Sequence, residues 1–253
     1  MRLVALGASN LTRGLPAVVA VAREAWGPEL EILAALGHGR SYGADSRVLL
    51  RVLPPILGCG LWRELSGRPR LPTRALVTDI GNDIPHGRPA ARIVAWVEEC
   101  VERLRAAGAE EIALTDLPLT SLRRLRPSVY LFFRTLYFPR CRAPQAEAAA
   151  AAAAVSKGLA TLADRHSLRL VPPRPEWYGV DPIHIRRRWQ RAAWSQILCG
   201  TTPAGAGPGR SVTEALELQR LQLRPERQWW LGLEQVTPQR GLRLRGGGRI
   251  DLY

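Results

Sequence analysis

Four short stretches carry residues that could do chemistry together. Ser9 follows the apolar run Leu3–Leu6, which Gly7 breaks. A hydroxyl placed there becomes a nucleophile if a base stands beside it. Asp181-Pro182-Ile183-His184 sets an aspartate three residues before a histidine. That spacing lets the carboxylate hold the imidazole Nδ1–H while Nε2 faces outward. Asn82, in Gly81-Asn82-Asp83, carries an amide able to donate to an oxyanion. The cluster Gly37-His38-Gly39-Arg40-Ser41-Tyr42-Gly43 offers Gly39 or Gly43 as a bare N–H. Brought together, these supply a nucleophile, a base, an orienting acid and oxyanion donors, the parts that acyl transfer requires.

Each residue alone also has a plain structural reading. Ser9 and Asn10 are good helix caps, Asn82 could cap a turn, and Asp181 could simply open the turn at Pro182. His184 could be a satisfied surface histidine. Taken jointly, those readings need four coincidences. Competing chemistries are weaker. The glycines from Gly7 to Gly14 lack the G-x-G-x-x-G spacing of a dinucleotide site. Lys157, the single lysine, follows Ser156, and Ala153 stands four residues before it. That removes both a Walker loop and a Tyr-x-x-x-Lys pair. The Gly-x-Ser-x-Gly elbow of α/β-hydrolases is also absent, because position 11 is leucine. His38, His86, Asn10 and Trp177 are candidates to line the pocket, and His166 reads as a partner of a helix end. Asp79 and Asp83 stand beside Asn82, but no metal-ligand set accompanies them. Neither metal nor cofactor is expected.

These residues need elements to position them. Leu3–Leu6, without polar alternation, reads as a strand buried on both faces, and a helix follows from Leu15 to Trp26. Further strands are expected at Leu30–Leu36, Ala75–Ile80, Glu111–Asp116 and Ser167–Val171. Helices are expected at about 45–57, 90–107, 144–165 and 186–198. Residues 58–73 read as a loop with a turn near Trp62. Strands alternating with helices predict a three-layer α/β/α sandwich with a five-stranded parallel, flavodoxin-like sheet. Every candidate residue would then lie at the carboxyl end of a strand, where open parallel sheets place their ligands.

Two segments fall outside the repeat. Residues 117–142 hold all three phenylalanines, two tyrosines and six arginines, with no acid. This insertion is expected to pack its aromatic face on the domain, with a lid over the site as the alternative. Residues 201–253 begin with a linker-like Pro, Gly and Ala stretch. A helix at 212–223 and a terminal hairpin pairing 242–245 with 249–253 follow. The organisation expected is a catalytic domain over 1–200 and a C-terminal extension over 201–253.

Composition narrows the classes. Of 36 basic residues 35 are arginine, and the net charge is +14. Arginine spread along most of the chain, with almost no lysine, reflects genomic base composition, and no zinc-finger or RNA-binding signature supports a nucleic-acid partner. No apolar run approaches the roughly 18 residues of a membrane span, and no signal segment precedes the first strand. The four cysteines are scattered, without metal-ligand spacing. Reduced thiols in the cytoplasm are the expectation.

In these motifs the sequence resembles the SGNH hydrolases, also called the GDSL esterase/lipase family. That family has a serine just after the first strand and a glycine after the second. Gly-Asn-Asp follows its third strand, and Asp-x-x-His lies near its end. Gly7-Ala8-Ser9-Asn10, the Gly37–Gly43 cluster, Gly81-Asn82-Asp83 and Asp181-Pro182-Ile183-His184 match in that order, over roughly residues 1–198. Ala8 stands where the family has aspartate, and Ile185 where a proline often follows the histidine. The resemblance implies a catalytic triad of Ser9, His184 and Asp181. It implies an oxyanion hole from the Ser9 N–H, the Gly43 N–H and the Asn82 side chain, with Gly39 the alternative glycine. The implied activity is hydrolysis of a small-molecule O-acyl ester (short acyl, acetylated sugar or lipid) through an acyl-enzyme. The alternative is an inactive, basic binding module of the same fold.

Overall fold

The computed structural model describes residues 1–139, 141–201 and 212–253. Its centre is the strand that precedes Ser9. β1 (Arg2–Leu6) is buried at every position. Val4 and Leu6 face one side of the sheet, while Leu3 and Ala5 face the other. This two-sided burial is why the run shows no polar alternation. The chain continues as α1 (Ser9–Trp26), β2 (Glu31–Ala35), β3 (Ser46–Val48), β4 (Arg51–Leu53), α2 (Leu61–Gly67) and β5 (Thr73–Val77). Next come α3 (Ala90–Ala106), β6 (Ala109–Thr115), α4 (Leu119–Arg123), α5 (Pro127–Tyr137), α6 (Gln145–His166), β7 (Arg169–Val171) and α7 (Gln190–Cys199). α8 (Val212–Gln222), β8 (Arg227–Trp230), β9 (Leu233–Val236), β10 (Leu242–Arg243) and β11 (Arg249–Leu252) complete it.

The main sheet runs β10-β11-β2-β1-β5-β6-β7. The five strands read from sequence are its core, parallel and in flavodoxin-like order. The sheet has seven strands rather than five, because the terminal hairpin joins it. β11 pairs parallel with β2, and β10 pairs antiparallel with β11. The expected terminal hairpin is therefore present, with Leu242 opposite Ile250 and Arg243 opposite Arg249. Residues from α1, α7 and α8 cover one face of the sheet, and residues from α2, α3 and α6 cover the other. Glu31 of β2 stitches the sheet's amino edge by pairing with Arg2 of β1, Arg68 and Arg249 of β11.

Two local expectations are corrected. Residues 45–57 are not a helix but the hairpin β3–β4, followed by a 3-10 turn at Ile56–Gly58. β4 finds its partner far away in β8, giving a second sheet in the order β3-β4-β8-β9. A pairing so remote in sequence leaves no local signal and overrides the apolar pattern. Residues 58–73 contain α2, whose Leu61 and Leu65 lie one helical turn apart and seat in the core. Among the described residues, no helix is long and apolar enough to cross a membrane. The linker-like stretch expected after residue 201 lies outside the described residues.

Candidate active site

β1 ends at Leu6, the chain turns at Gly7, and Ser9 becomes the first residue of α1. The N–H groups of a first helical turn have no intrahelical partners and attract negative charge. Here Asp79, just beyond β5, meets part of that demand. Its carboxylate accepts from Ala8 N–H at 2.8 Å, Leu11 N–H at 3.0 Å and Asn10 Nδ2 at 2.8 Å. Asp79 sits in the left-handed region at φ 62°, a conformation that aspartate tolerates better than most residues. Asn10 extends the tie across the fold. It donates to Ile183 O at 2.8 Å and accepts from Ile185 N–H at 2.8 Å. One side chain thus fixes the serine turn to both residues flanking His184.

His184 lies between the two other triad candidates. Its Nδ1–H donates to Asp181 Oδ2 at 2.7 Å, and Ser9 O–H donates to Nε2 at 2.9 Å. Ser9 and His184 are both buried. The Asp-x-x-His spacing works through the backbone as well, since Asp181 Oδ1 accepts from Ile183 N–H and His184 N–H, each at 3.2 Å. Burial alone would raise the Asp181 carboxyl. The hydrogen bonds and charge of its neighbours outweigh burial and hold it below the usual carboxylate range, with His184 first and then Tyr137. Asp181 therefore stays ionised and fixes the imidazole tautomer.

The remaining predicted residues fall into two groups. Asn82 lies in a 3-10 turn at Ile80–Asp83 and lines the same cavity as Ser9. Its Nδ2 is buried and has no hydrogen-bond partner among the described residues. A donor left in that state costs free energy unless a ligand meets it. Asn10 and Trp177 also line the cavity. His38 and His86 stand outside its wall. Burial pushes both imidazoles down, and His38 is close enough to feel the charges of His184 and Arg13. The His86 ring meets Phe138 edge-on at 5.6 Å.

Gly43, like Gly39, is not among the residues that line the cavity. The Gly43 N–H donates to Ser41 Oγ at 3.2 Å, and a Cβ there would lie 2.0 Å from the Trp96 ring. Its bareness serves close packing against α3. Gly39 adopts φ +64°, and its N–H takes no partner among the described residues. Asp83 braces the loop between them by accepting from Ser41 O–H and from Tyr42 N–H at 3.1 Å. The carboxylates of Asp79 and Asp83 are thus both committed to hydrogen bonds within the fold.

The insertion forms the far wall. The cavity of about 170 Å³ runs from Ser9 and Asn82 beneath α4 and α5, past Leu117, Leu125, Phe133 and Phe138. Tyr137, on the last turn of α5, donates to Asp181 Oδ2 at 2.8 Å. Its ring stands edge-on to His184 at 5.0 Å. Tyr137 and Asp79 were visible in the sequence, but neither was expected to touch Asp181 or the Ser9 turn. For Asp79 a signal was present. With alanine at position 8, the α1 terminus still needs an acidic acceptor, and β5 delivers one. Tyr137 had none, because its contact depends on where α5 crosses the site.

No family model and no curated protein matches the chain. Solved structures do resemble it in fold. A carbohydrate acetylesterase family member from Sinorhizobium meliloti is 18% identical at TM-score 0.52, covering 78% of this chain and 95% of that one. An inhibitor-bound M. smegmatis aryl esterase is 14% identical at TM-score 0.53, covering 78% of this chain and 97% of that one. The native form of that aryl esterase is 14% identical at TM-score 0.51. What the chain shares with these structures is the fold, a parallel sheet between helical layers.

Proposed function

We propose that this chain is a serine hydrolase of small-molecule O-acyl esters that works through an acyl-enzyme. The observation that carries the reading is the unbroken line Asp181–His184–Ser9, at 2.7 and 2.9 Å, opening on an apolar cavity. In this reading His184 Nε2 takes the Ser9 proton as Oγ attacks the ester carbonyl. The tetrahedral oxyanion collects the Ser9 N–H, the Asn82 Nδ2 and a glycine N–H. We assign the glycine to Gly39, since the Gly43 N–H is already taken. The intermediate collapses, and His184 returns the proton to the departing alkoxide. Water then adds to the acyl carbon, giving its proton to His184, and the carboxylic acid leaves as Ser9 recovers its hydrogen.

Asn82 supports this reading because its unpartnered amide needs charge supplied by a ligand. The cavity supports an acyl chain or ring as one part of the substrate, since a void of about 150 Å³ accepts a benzene-sized guest. The solved neighbours by name include an acetylesterase family member and an aryl esterase, which places ester hydrolysis first among activities to test. Four free cysteines, three of them buried, go with a reducing, cytoplasmic setting. Nothing in the site favours the inactive binding module.

The test is hydrolysis of short p-nitrophenyl esters by wild type and Ser9→Ala, alongside fluorophosphonate labelling. Turnover and labelling in the wild type, both absent in the variant, are expected. Turnover retained by a clean Ser9→Ala preparation would overturn the mechanism.

A further inference from the structure

The second sheet ends in an apolar tip that the catalytic reading does not use. β3 and β4 are joined by Leu49-Leu50, and β8 and β9 by Leu231-Gly232. Arg51 lies opposite Trp230, and the Leu231 N–H donates to Leu50 O at 3.0 Å. The two turns therefore lie side by side at one end of the sheet. Leu49 is 90% exposed, Leu231 73% and Leu233 76%, with Val48, Leu50 and Trp230 exposed beside them.

These turns break two rules at once. A two-residue hairpin turn needs positive φ, so Asn, Asp or Gly is favoured there. Leu49 sits at φ 54° and Leu231 at φ 52°. A bulky residue in that region is strained, and an exposed leucine gains nothing from water. Both turns thus carry the residue that solvent and backbone disfavour. Such paired departures mark a surface kept for something outside the fold.

The chemistry of the rim selects the partner. Within 46–53 and 227–236 lie three arginines, Arg47, Arg51 and Arg227, and a single acid, Glu234. Arg227 pairs with that acid at 3.5 Å. Arg51 is held within the fold, donating to Gln228 Oε1 and Gln222 O with its guanidinium 5.9 Å from the Trp230 ring centre. This leaves the exposed Arg47 as the rim arginine without a side-chain partner among the described residues. The whole chain carries +14. Projecting leucines with a tryptophan at their base and the exposed Arg47 beside them, on a chain of that charge, match the layers of an anionic bilayer surface. Leucine enters the acyl boundary, tryptophan sits at headgroup level and arginine meets lipid phosphate. A protein partner would more naturally meet a flat face with a pocketed anchor than two narrow turn tips.

We propose that this paired-hairpin tip docks the protein on anionic membrane surfaces. The tip is rooted beside the site, since a Cβ at Gly39 would lie 2.9 Å from Val48 Cγ2. Docking would therefore bring the Gly39 side of the site towards the lipid surface. The proposal stands independently of what Ser9 does.

The test is co-sedimentation of the full chain with phosphatidylcholine vesicles and with equimolar phosphatidylcholine–phosphatidylglycerol vesicles, at low and high salt. Wild type is expected to sediment with the anionic vesicles and to be released by salt. The double variant Leu49→Gly/Leu231→Asn gives both turns the residues they prefer. It is expected to keep or raise its Tm and to lose roughly tenfold or more of its vesicle affinity, as apolar contacts are removed. Wild type remaining in the supernatant with both vesicles would overturn the proposal, as would a double variant that binds equally well. Salt-independent binding to both vesicle types would overturn its anionic part. A wild-type dimer on size exclusion that the double variant dissolves would assign the tip to a second copy of the chain instead.

Discussion

The floor of the candidate site and its roof are built in opposite ways. The floor is part of the sheet. Ser9 rises from a strand buried on both sides, and Asp79 and Asn10 bind its turn to β5 and to the His184 loop. The roof, α4 and α5, buries none of its residues, and Leu131, Phe132 and Leu136 face solvent. A few hydrogen bonds hold it, among them Tyr130 O–H to Ala143 O and Gln145 Nε2 to Leu125 O. A segment with so few buried contacts belongs to the low end of local stability. The reacting atoms are thus held rigidly while the wall that shapes the cavity is lightly attached. This division suits a site that must keep its geometry and still admit substrate.

The sharpest break in the comparison lies in the floor. His184→Ala is expected to lower kcat/KM by roughly 10⁴-fold or more, as loss of a triad base does elsewhere. Its melting temperature should move little, since Asp79 and Asn10 hold the turn without it. Steady-state kinetics with a thermal melt checks both halves. A large fall in stability would show that the floor depends on the triad rather than carrying it.

Asp79→Ala removes the floor's tie instead of its chemistry. The Ala8 and Leu11 N–H groups lose their shared acceptor, and Asn10 loses one anchor. Each hydrogen bond to a charged group contributes about 1.5–3 kcal/mol. The three share one carboxylate at a part-buried helix end that water can reach. A loss of about 2–4 kcal/mol in stability, less than their sum, is therefore expected by urea denaturation. Activity should fall by roughly 10²-fold, because a displacement of about 1 Å at the reacting atoms costs that much. Asp79→Asn, which tolerates the left-handed backbone, is expected to recover part of both losses. An Asp79→Ala enzyme with normal activity would show that the helix terminus needs no such acceptor.

The floor's foundation should respond to acid. Burial opposes the charge of Glu31, but the hydrogen bonds and charge of Arg249, Arg2 and Arg68 lower its pKa from 4.5 to about 2. A carboxylate depressed in the folded state stabilises above its unfolded pKa and loses that contribution as pH falls through the folded value. Stability from this group is complete above about pH 4.5 and disappears between there and about pH 2. The loss is on the order of 3 kcal/mol, and Glu31→Gln should flatten that part of the acid-unfolding curve. An unchanged curve in the variant would assign acid sensitivity to other carboxylates.

How legible these parts were in the sequence follows from how local their causes are. The line Asp181–His184–Ser9 was readable because Asp181 and His184 are three residues apart, and because strand ends predict where polar residues gather. The five central strands were readable from short, largely apolar runs alternating with helical stretches. The hairpin at 46–53 was not, since β4 pairs with β8, and its leucines mimic a helical stripe. Gly43 and Gly39 were indistinguishable by type, and only Trp96 and Ser41 around Gly43 separate them. Asp79 left only the indirect signal of an α1 terminus without its own acidic acceptor, and Tyr137 acts through a tertiary contact that no spacing encodes.

Tyr137 is where roof and floor meet, and it gives the smallest and most specific effect. Its O–H donates to the same Asp181 oxygen that takes the His184 Nδ1–H. Burial, and then the bond to Asp181, push the phenol up to about 12, so it remains a donor throughout the working pH range. Tyr137→Phe keeps the ring beside His184 and removes only this donation. One hydrogen bond to a carboxylate is lost, so kcat should fall by about 3- to 10-fold. The sign on pH follows from which form the phenol favours. Its donation stabilises ionised Asp181, so removing it lets that carboxyl rise towards its ordinary range, and activity should begin to fail at higher pH on acidification. Leu125→Ala, in the same wall but away from Tyr137, should instead raise KM and leave the acid limb in place. If both variants changed KM alone, the roof would be a wall and nothing more. A shifted acid limb in Tyr137→Phe only would mean that the lightly held roof also sets the charge of the rigid floor.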